Sequence, residues 1–402
     1  MDISNVLLSL LIISINLREP FFHTREILYV LTMITSLIFL DIKNVKYALV
    51  LISIWAISIL YNLIVPGSPV NFNNGGFETI IISAYLLLMC FCQERYARVI
   101  IRSYEIVSII VAMIVVSIWI ACYFSDSTYY SLRNFFINLR ETTGLSLISI
   151  DKRMILGTRY LTVWYRTSPC MVCTLGYHLG LRLTKKCRNL LLISLLFISL
   201  LFTGTRANII SAVLLVCIYM GFKLYKIGFR LIPLVMISAV MIIAIIFVVK
   251  FLQDRNSQSS AIKTSDIISY AEIYWKDPVR TLLFGWAPGS VFFSRGRQKM
   301  VNITELSLLE TIRRFGLVST CIIMLGIWFA PFRGSNFKQM NYIKYYYCCV
   351  YGAYMLSALT NPYLLDSVGF CALLFLCTVF SYGTKKQENN LTSNLIELTR
   401  RN

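Results

Sequence analysis

Along this chain, apolar runs of roughly membrane length alternate with short polar turns. The runs fall at about 5–17, 27–41, 46–65, 79–92, 104–124, 160–181, 190–203, 207–222, 231–250, 306–330, 343–360 and 366–382. Crossing the hydrocarbon core takes about 20 residues, so the shorter runs must tilt or borrow from their flanks. The pattern predicts an all-α fold, a polytopic integral membrane protein with about 12 transmembrane helices. Short basic loops set the sides. Lys43 and Lys46; Arg95, Arg98 and Arg102; Arg182, Lys185, Lys186 and Arg188; Lys223, Lys226 and Arg230; Arg333 and Lys338; and Lys385 and Lys386 occupy alternate loops. Placing all of them in the cytoplasm satisfies the positive-inside rule, with both termini inside. The chain then reads as one membrane domain, 1–382, with a cytoplasmic polar tail, 383–402. Two long loops, 125–159 and 250–305, face outward. The first run lacks a basic n-region and a small-residue cleavage site, so it reads as a retained span.

Composition agrees with a lipid-facing protein. Of 402 residues, 57% are hydrophobic and 14% charged, whereas soluble domains carry about 25% charge. The net charge of +19 lies in scattered short loops, with no basic domain or aromatic RNA-binding motif. That excludes nucleic acid and favours an anionic lipid, phosphate or glycan. The 12 cysteines fall mostly in apolar runs and none lies in the larger outer loop, so no disulfide framework is indicated. Cys170-x-x-Cys173 reads either as a redox or metal pair or as two buried small residues. His23 and His178 are the only histidines, and neither is in the larger loop. A His-based catalyst is thereby excluded there, no spaced metal-ligand set exists, and no cofactor motif is present.

Both long outer loops are basic on the side that the topology rule leaves poor in Lys and Arg. Long loops translocate regardless of charge, so an ordinary soluble face is one reading. The arginines that run into apolar sequence point further. Arg159 and Arg166 flank Trp164-Tyr165, Arg206 sits between two runs, and Arg313 and Arg314 lie just inside another. A charge within a span costs about 2.5–3.5 kcal/mol, so such a group faces a cavity or a partner. Snorkelling accounts for Arg159 or Arg206 singly; the set suggests a shared anion site. In the larger loop, Ile267, Ile268, Ala271 and Trp275 have helical spacing and predict a helix resting on the membrane surface, ended by Asp277-Pro278. Glu305, where that loop re-enters the membrane, is the best candidate general base, since partial desolvation raises a carboxylate pKa. The alternative is a first-turn carboxylate with Thr304 as cap. Glu310 lies within reach of Arg313 or Arg314 on a helix.

Three segments carry a resemblance. They are Thr203-Gly204-Thr205-Arg206-Ala207-Asn208, Leu283-Phe284-Gly285-Trp286-Ala287-Pro288-Gly289-Ser290, and Glu305 followed by Phe315-Gly316-Leu317. In order and topology, over roughly residues 160–370, the chain resembles the O-antigen polymerase/ligase superfamily of bacterial inner membranes. The resemblance implies a metal-independent glycosyltransferase without cofactor, acting at the periplasmic face on undecaprenyl-diphosphate-linked oligosaccharide. Membrane lipid and a chain-length regulator protein are the further implied partners. The ligase branch has a His-Asn pair where this chain has Glu305-Leu306, which favours the polymerase branch. By this resemblance Glu305 takes the acceptor proton, and Arg206 and Arg280, with Arg166, hold the diphosphate. Arg159, Arg295, Arg313 and Arg314 are further substrate-binding candidates. A competing class is a flippase without chemistry of its own, which calls for intramembrane charges in both halves.

Overall fold

The computed structural model describes residues 2–17, 24–64, 84–143, 146–155, 158–184, 189–226, 258–286, 290–301, 304, 306–332, 342–359 and 366–383. Glu305, His23, the run at 231–250 and the polar tail lie outside the described residues, as does the side chain of Arg159. The chain is mostly helical. The helices are α1 (Ile3–Leu17), α2 (Thr24–Ser36), α3 (Ile42–Ile64), α4 (Glu94–Phe124), α5 (Asp126–Thr143), α6 (Cys170–Leu183), α7 (Leu190–Phe202) and α8 (Arg206–Lys226). They continue as α9 (Gln258–Lys276), α10 (Pro278–Leu283), α11 (Ser307–Phe315), α12 (Leu317–Phe329), α13 (Tyr342–Leu359) and α14 (Ser367–Thr378). A 3-10 segment covers Tyr85–Phe91. Two antiparallel hairpins add β1 (Ile148–Ile155) with β2 (Thr158–Tyr165), and β3 (Phe292–Ser294) with β4 (Lys299–Val301).

Among the described residues, α3, α4 and α8 are long and apolar enough to cross a membrane, and α1, α7, α12 and the helix opening at Ser367 are shorter apolar helices. Helix α3 shows the physical basis. Its inward stripe is Ala48, Leu51, Trp55, Ser58 and Asn62, at helical spacing. Its outward face is Leu49, Val50, Ile57, Leu60, Leu63 and Ile64, all exposed. The aliphatic outward face, with Ser58 and Asn62 turned inward, is the distribution that suits a lipid-facing helix rather than a water-facing one.

The helix ends sort into two groups. At one end Arg95 pairs with Asp2, Asn44 Nδ2 donates to the Cys92 carbonyl at 2.9 Å, and the Tyr382 hydroxyl donates to that carbonyl at 3.5 Å. At the other end the Tyr165 hydroxyl donates to the Leu17 carbonyl at 2.7 Å, and Trp119 Nε1 donates to the Leu161 carbonyl at 2.9 Å. Each contact joins segments that the alternation of basic loops assigns to the same side.

Two expected spans are built differently. The run at 160–181 is strand β2 followed by helix α6, joined by turns at 166–169. Strand β2 pairs along its whole length with β1, Ile148 opposite Tyr165 through Ile155 opposite Thr158. The run at 306–330 is broken at Gly316 into α11 and α12. The two long loops are likewise structured. Residues 125–159 hold α5 and β1, with Ser125 Oγ accepting from the Thr128 amide at 3.2 Å as an N-cap. The larger loop builds a module from α9, α10, the β3–β4 hairpin and α11. It has its own small core of Tyr270, Phe292 and Val301, packed by Ile273, Tyr274, Leu306 and Leu309.

Candidate functional site at one end of the bundle

This module meets the bundle at one junction. Asp277 caps α10, its carboxylate accepting from the Arg280 amide at 3.0 Å, and Pro278 supplies a pre-set first turn. This fixes Arg280, whose Nε donates to the Gly285 carbonyl at 3.1 Å and whose Nη2 donates to Asn62 Oδ1 at 2.9 Å. Its guanidinium lies over the Trp286 ring, 4.7 Å from the centroid. Asn62 and Ser58, in the last turns of α3, both donate to the Phe284 carbonyl, and Phe284 stacks on Tyr61 with centroids 3.7 Å apart. Gly285 (φ +73°) and Gly316 (φ +85°) face one another: a Cβ on the first would stand 2.6 Å from the Arg314 carbonyl carbon, and one on the second 2.6 Å from that of Leu283. Only glycine permits both the left-handed backbone and this approach.

Behind the junction lies a buried ionic network. Glu310 is 5% exposed and Arg313 1%. Arg313 Nε donates to Glu310 Oε2 at 3.1 Å and Nη2 to Oε1 at 2.5 Å, while Arg314 Nε donates to Oε1 as well. Arg313 Nη1 donates to the Ser290 carbonyl at 3.0 Å, and the guanidinium lies 4.9 Å from the Phe292 ring centroid. The Tyr270 hydroxyl donates to Glu310 Oε2 at 2.6 Å and sits 2.6 Å from Thr304 Oγ1. Burial pushes the Glu310 pKa up, but the adjacent Arg313 and Arg314 charges outweigh it and hold the carboxyl below its ordinary value. Burial, then the Glu310 charge, pushes the Tyr270 hydroxyl up, so it stays a donor.

A second junction is formed by the turns before α6 and α8. Gly204 (φ +61°) packs on Thr162 so closely that a Cβ would stand 2.1 Å from its Cγ2. Asn208 Nδ2 donates to Ser168 Oγ at 3.0 Å, and Asn208 Oδ1 accepts from Ser357 of α13 at 2.9 Å. Thr167 Oγ1 donates to the Asn16 carbonyl at 2.6 Å. Arg166 and Arg206 flank this polar seam, and both are half-buried; the Arg166 amide donates to the Leu147 carbonyl at 3.0 Å. Aromatic packing ties the junctions together. Phe315 stacks on Trp55 at 4.9 Å, Trp55 abuts Phe370 at 6.2 Å, and the next residue, Cys371, accepts from Asn16 Nδ2 at 3.3 Å.

The predicted arginines therefore divide. Arg280, Arg313 and Arg314 gather at the first junction, and Arg166 and Arg206 at the second. The position of Arg159 is in β2, opposite Met154. Arg295 lies apart, at the β3–β4 turn, ion-paired with the equally exposed Glu272. Arg313 and Arg314 engage an internal carboxylate, which makes them supports of the module rather than groups on an open face. Asn62 and Tyr270, together with Ser290 from the 283–290 motif, complete the first junction. His178 Nε2 lies 3.0 Å from Glu105 Oε1 between α4 and α6, an approach that the separate runs concealed. Cys170 and Cys173 are both buried and free. Among the described residues no group of three His, Cys, Asp or Glu side chains could hold a metal. Comparison with protein-family models, with curated proteins and with solved structures finds no match in any of the three.

Proposed function

We propose that this chain is a metal-independent membrane glycosyltransferase of the O-antigen polymerase type, with about twelve spans, both termini cytoplasmic and its outer module periplasmic. In this reading it joins undecaprenyl-diphosphate-linked oligosaccharide units at the inner membrane. What supports it is the fixed Arg280 guanidinium at the first junction, together with the half-buried Arg166 and Arg206 beside the Asn208–Ser168 seam of the second. Guanidinium groups bind phosphate bidentately and stay charged, so they can hold a diphosphate while charge develops on it. Glu305 accepts the proton of the acceptor hydroxyl as that oxygen bonds to the donor's anomeric carbon. The anomeric carbon–phosphate oxygen bond breaks, and undecaprenyl diphosphate leaves with the electron pair.

Arg280 is the arginine best prepared for this role, because Asn62, Gly285 and Trp286 fix its guanidinium in advance. Arg206→Ala and Glu305→Gln are expected to abolish long polymer in a strain lacking the native gene, with protein still in the membrane. Normal chain length in either variant refutes the assigned role. Loss of the gene is expected to leave single repeat units on the cell surface. Absence of any surface unit would identify a flippase, and polymer retained on the carrier would identify a ligase.

A further inference from the structure

Helix α9 is turned the wrong way round for water. Its buried positions include Asp266, Ser269 and Tyr270, at 2%, 1% and 1% exposure. Its outward face carries Ile267, Ile268 and Trp275, at 50%, 47% and 79% exposure, with the exposed Glu272 at its edge ion-paired to Arg295. A helix on a soluble module buries its aliphatic stripe and exposes its hydroxyls and carboxylates. The reversed face continues into α10 through Val279 and Leu282, both exposed.

The position of this face identifies what covers it. Phe284, one residue beyond α10, is held by Ser58, Tyr61 and Asn62 in the last turns of α3. Leu283 packs against Gly316, immediately before α12. The exposed α10 residues thus lie level with exposed Leu60, Leu63 and Ile64 at the end of α3, and with exposed Leu317 and Val318 at the start of α12. Helix α3 is one of the helices long and apolar enough to cross a membrane, so its outward face is a lipid face and the α9–α10 face extends it. Lys276 and Arg280 flank Trp286 at 5.8 and 4.7 Å from the ring centroid. Cations and an indole of this kind suit the headgroup layer.

We infer that the α9–α10 face docks into the headgroup and upper acyl region of the bilayer at the module's end of the bundle, to a depth of about 5–10 Å. The occupant is lipid rather than a second copy or a partner protein. The docking carries the Arg280–Trp286 pair to the depth of the lipid phosphates, where a lipid-borne anion arrives by lateral diffusion. The inference does not depend on the proposed reaction; it needs only that α3 spans.

The test uses the full-length protein in nanodiscs. The emission of the wild type minus that of Trp275→Phe isolates Trp275, and Val279→Trp in the Trp275→Phe background gives a second reporter. Acyl chains brominated near the headgroup are expected to abolish both difference signals, and aqueous iodide to leave them intact. Quenching by iodide but not by brominated lipid would overturn the inference, since the face then stands in water. Shielding from both quenchers would also overturn it, since a second copy or another protein then covers the face.

Discussion

Replacing Arg313 by alanine strands a carboxylate inside the α9–α11 module. Glu310 is 5% exposed and is held by two guanidiniums and the Tyr270 hydroxyl. Removing one partner of a buried ion pair costs about 3–5 kcal/mol, because the remaining charge is left without compensation. Arg314 stays in place, so the expected cost is at the lower end, about 3 kcal/mol. At a factor of ten per 1.4 kcal/mol, local opening of the module rises roughly a hundredfold. Limited proteolysis of detergent-solubilised protein reads this directly, because cleavage tracks the open population when reclosing is fast. Pairing the change with Glu310→Gln removes the stranded charge and is expected to recover a large part of the loss. The pH dependence follows from the direction of the Glu310 shift. Its folded value lies below the ordinary 4.5, so its contribution is fully present above that pH and fades as pH falls through the folded value. Wild-type resistance should therefore be flat from neutrality down to about 4.5 and drop below it, with a weaker drop in Glu310→Gln. An increase under threefold for Arg313→Ala, or about 0.7 kcal/mol, would refute the account of a network that supports the module.

Four further outcomes are expected. Gly316→Ala or Gly285→Ala should sharply lower the amount of folded protein in membranes, whereas Gly352→Ala, where a Cβ would meet nothing within 4 Å, should be neutral or stabilising; fluorescence-detected size exclusion compares them. Asn208→Ala leaves the buried Ser168 and Ser357 hydroxyls short of a partner and should cost about 1–3 kcal/mol, read as a lowered thermal midpoint in detergent. Arg295→Ala removes only an exposed ion pair with Glu272 and should leave both protease resistance and polymer length near wild type, in contrast to Arg206→Ala. Arg280→Lys keeps the charge but loses the fork that reaches Gly285 and Asn62, so polymer yield should fall while the protein remains in the membrane.

Local patterns were readable in the sequence where the structure obeys local rules. Asp277-Pro278 does end one helix and open the next, and Glu310 does meet Arg313 and Arg314 at helical spacing. The run at 160–181 misled because periodicity does not separate a buried strand from a buried helix. The cue lay upstream, in the alternation of buried Ile148 and Ile150 with Ser149 and Asp151, which marks the partner strand β1. Gly316 stood in a motif, but its reciprocal packing on the Leu283–Gly285 backbone is set by two segments thirty-one positions apart. The clamp from Asn62 to Arg280 crosses 218 positions, and no local pattern encodes it. The reversal of α9 was half legible: the spacing of Ile267, Ile268 and Trp275 gave the stripe, while its outward orientation required the Tyr270–Phe292 core beneath.

The facing glycines also bear on how this protein could be rebuilt. Because each backbone occupies the space where the other would carry a side chain, residues 258–315 are not a transferable cassette. A chimera that moved this module onto another bundle would have to bring along Ser58, Tyr61 and Asn62 from α3 and the opening turn of α12. The unit that exchanges intact is a discontinuous one, stitched from two separate stretches of chain, the end of α3 and the continuous run from α9 into the first turn of α12.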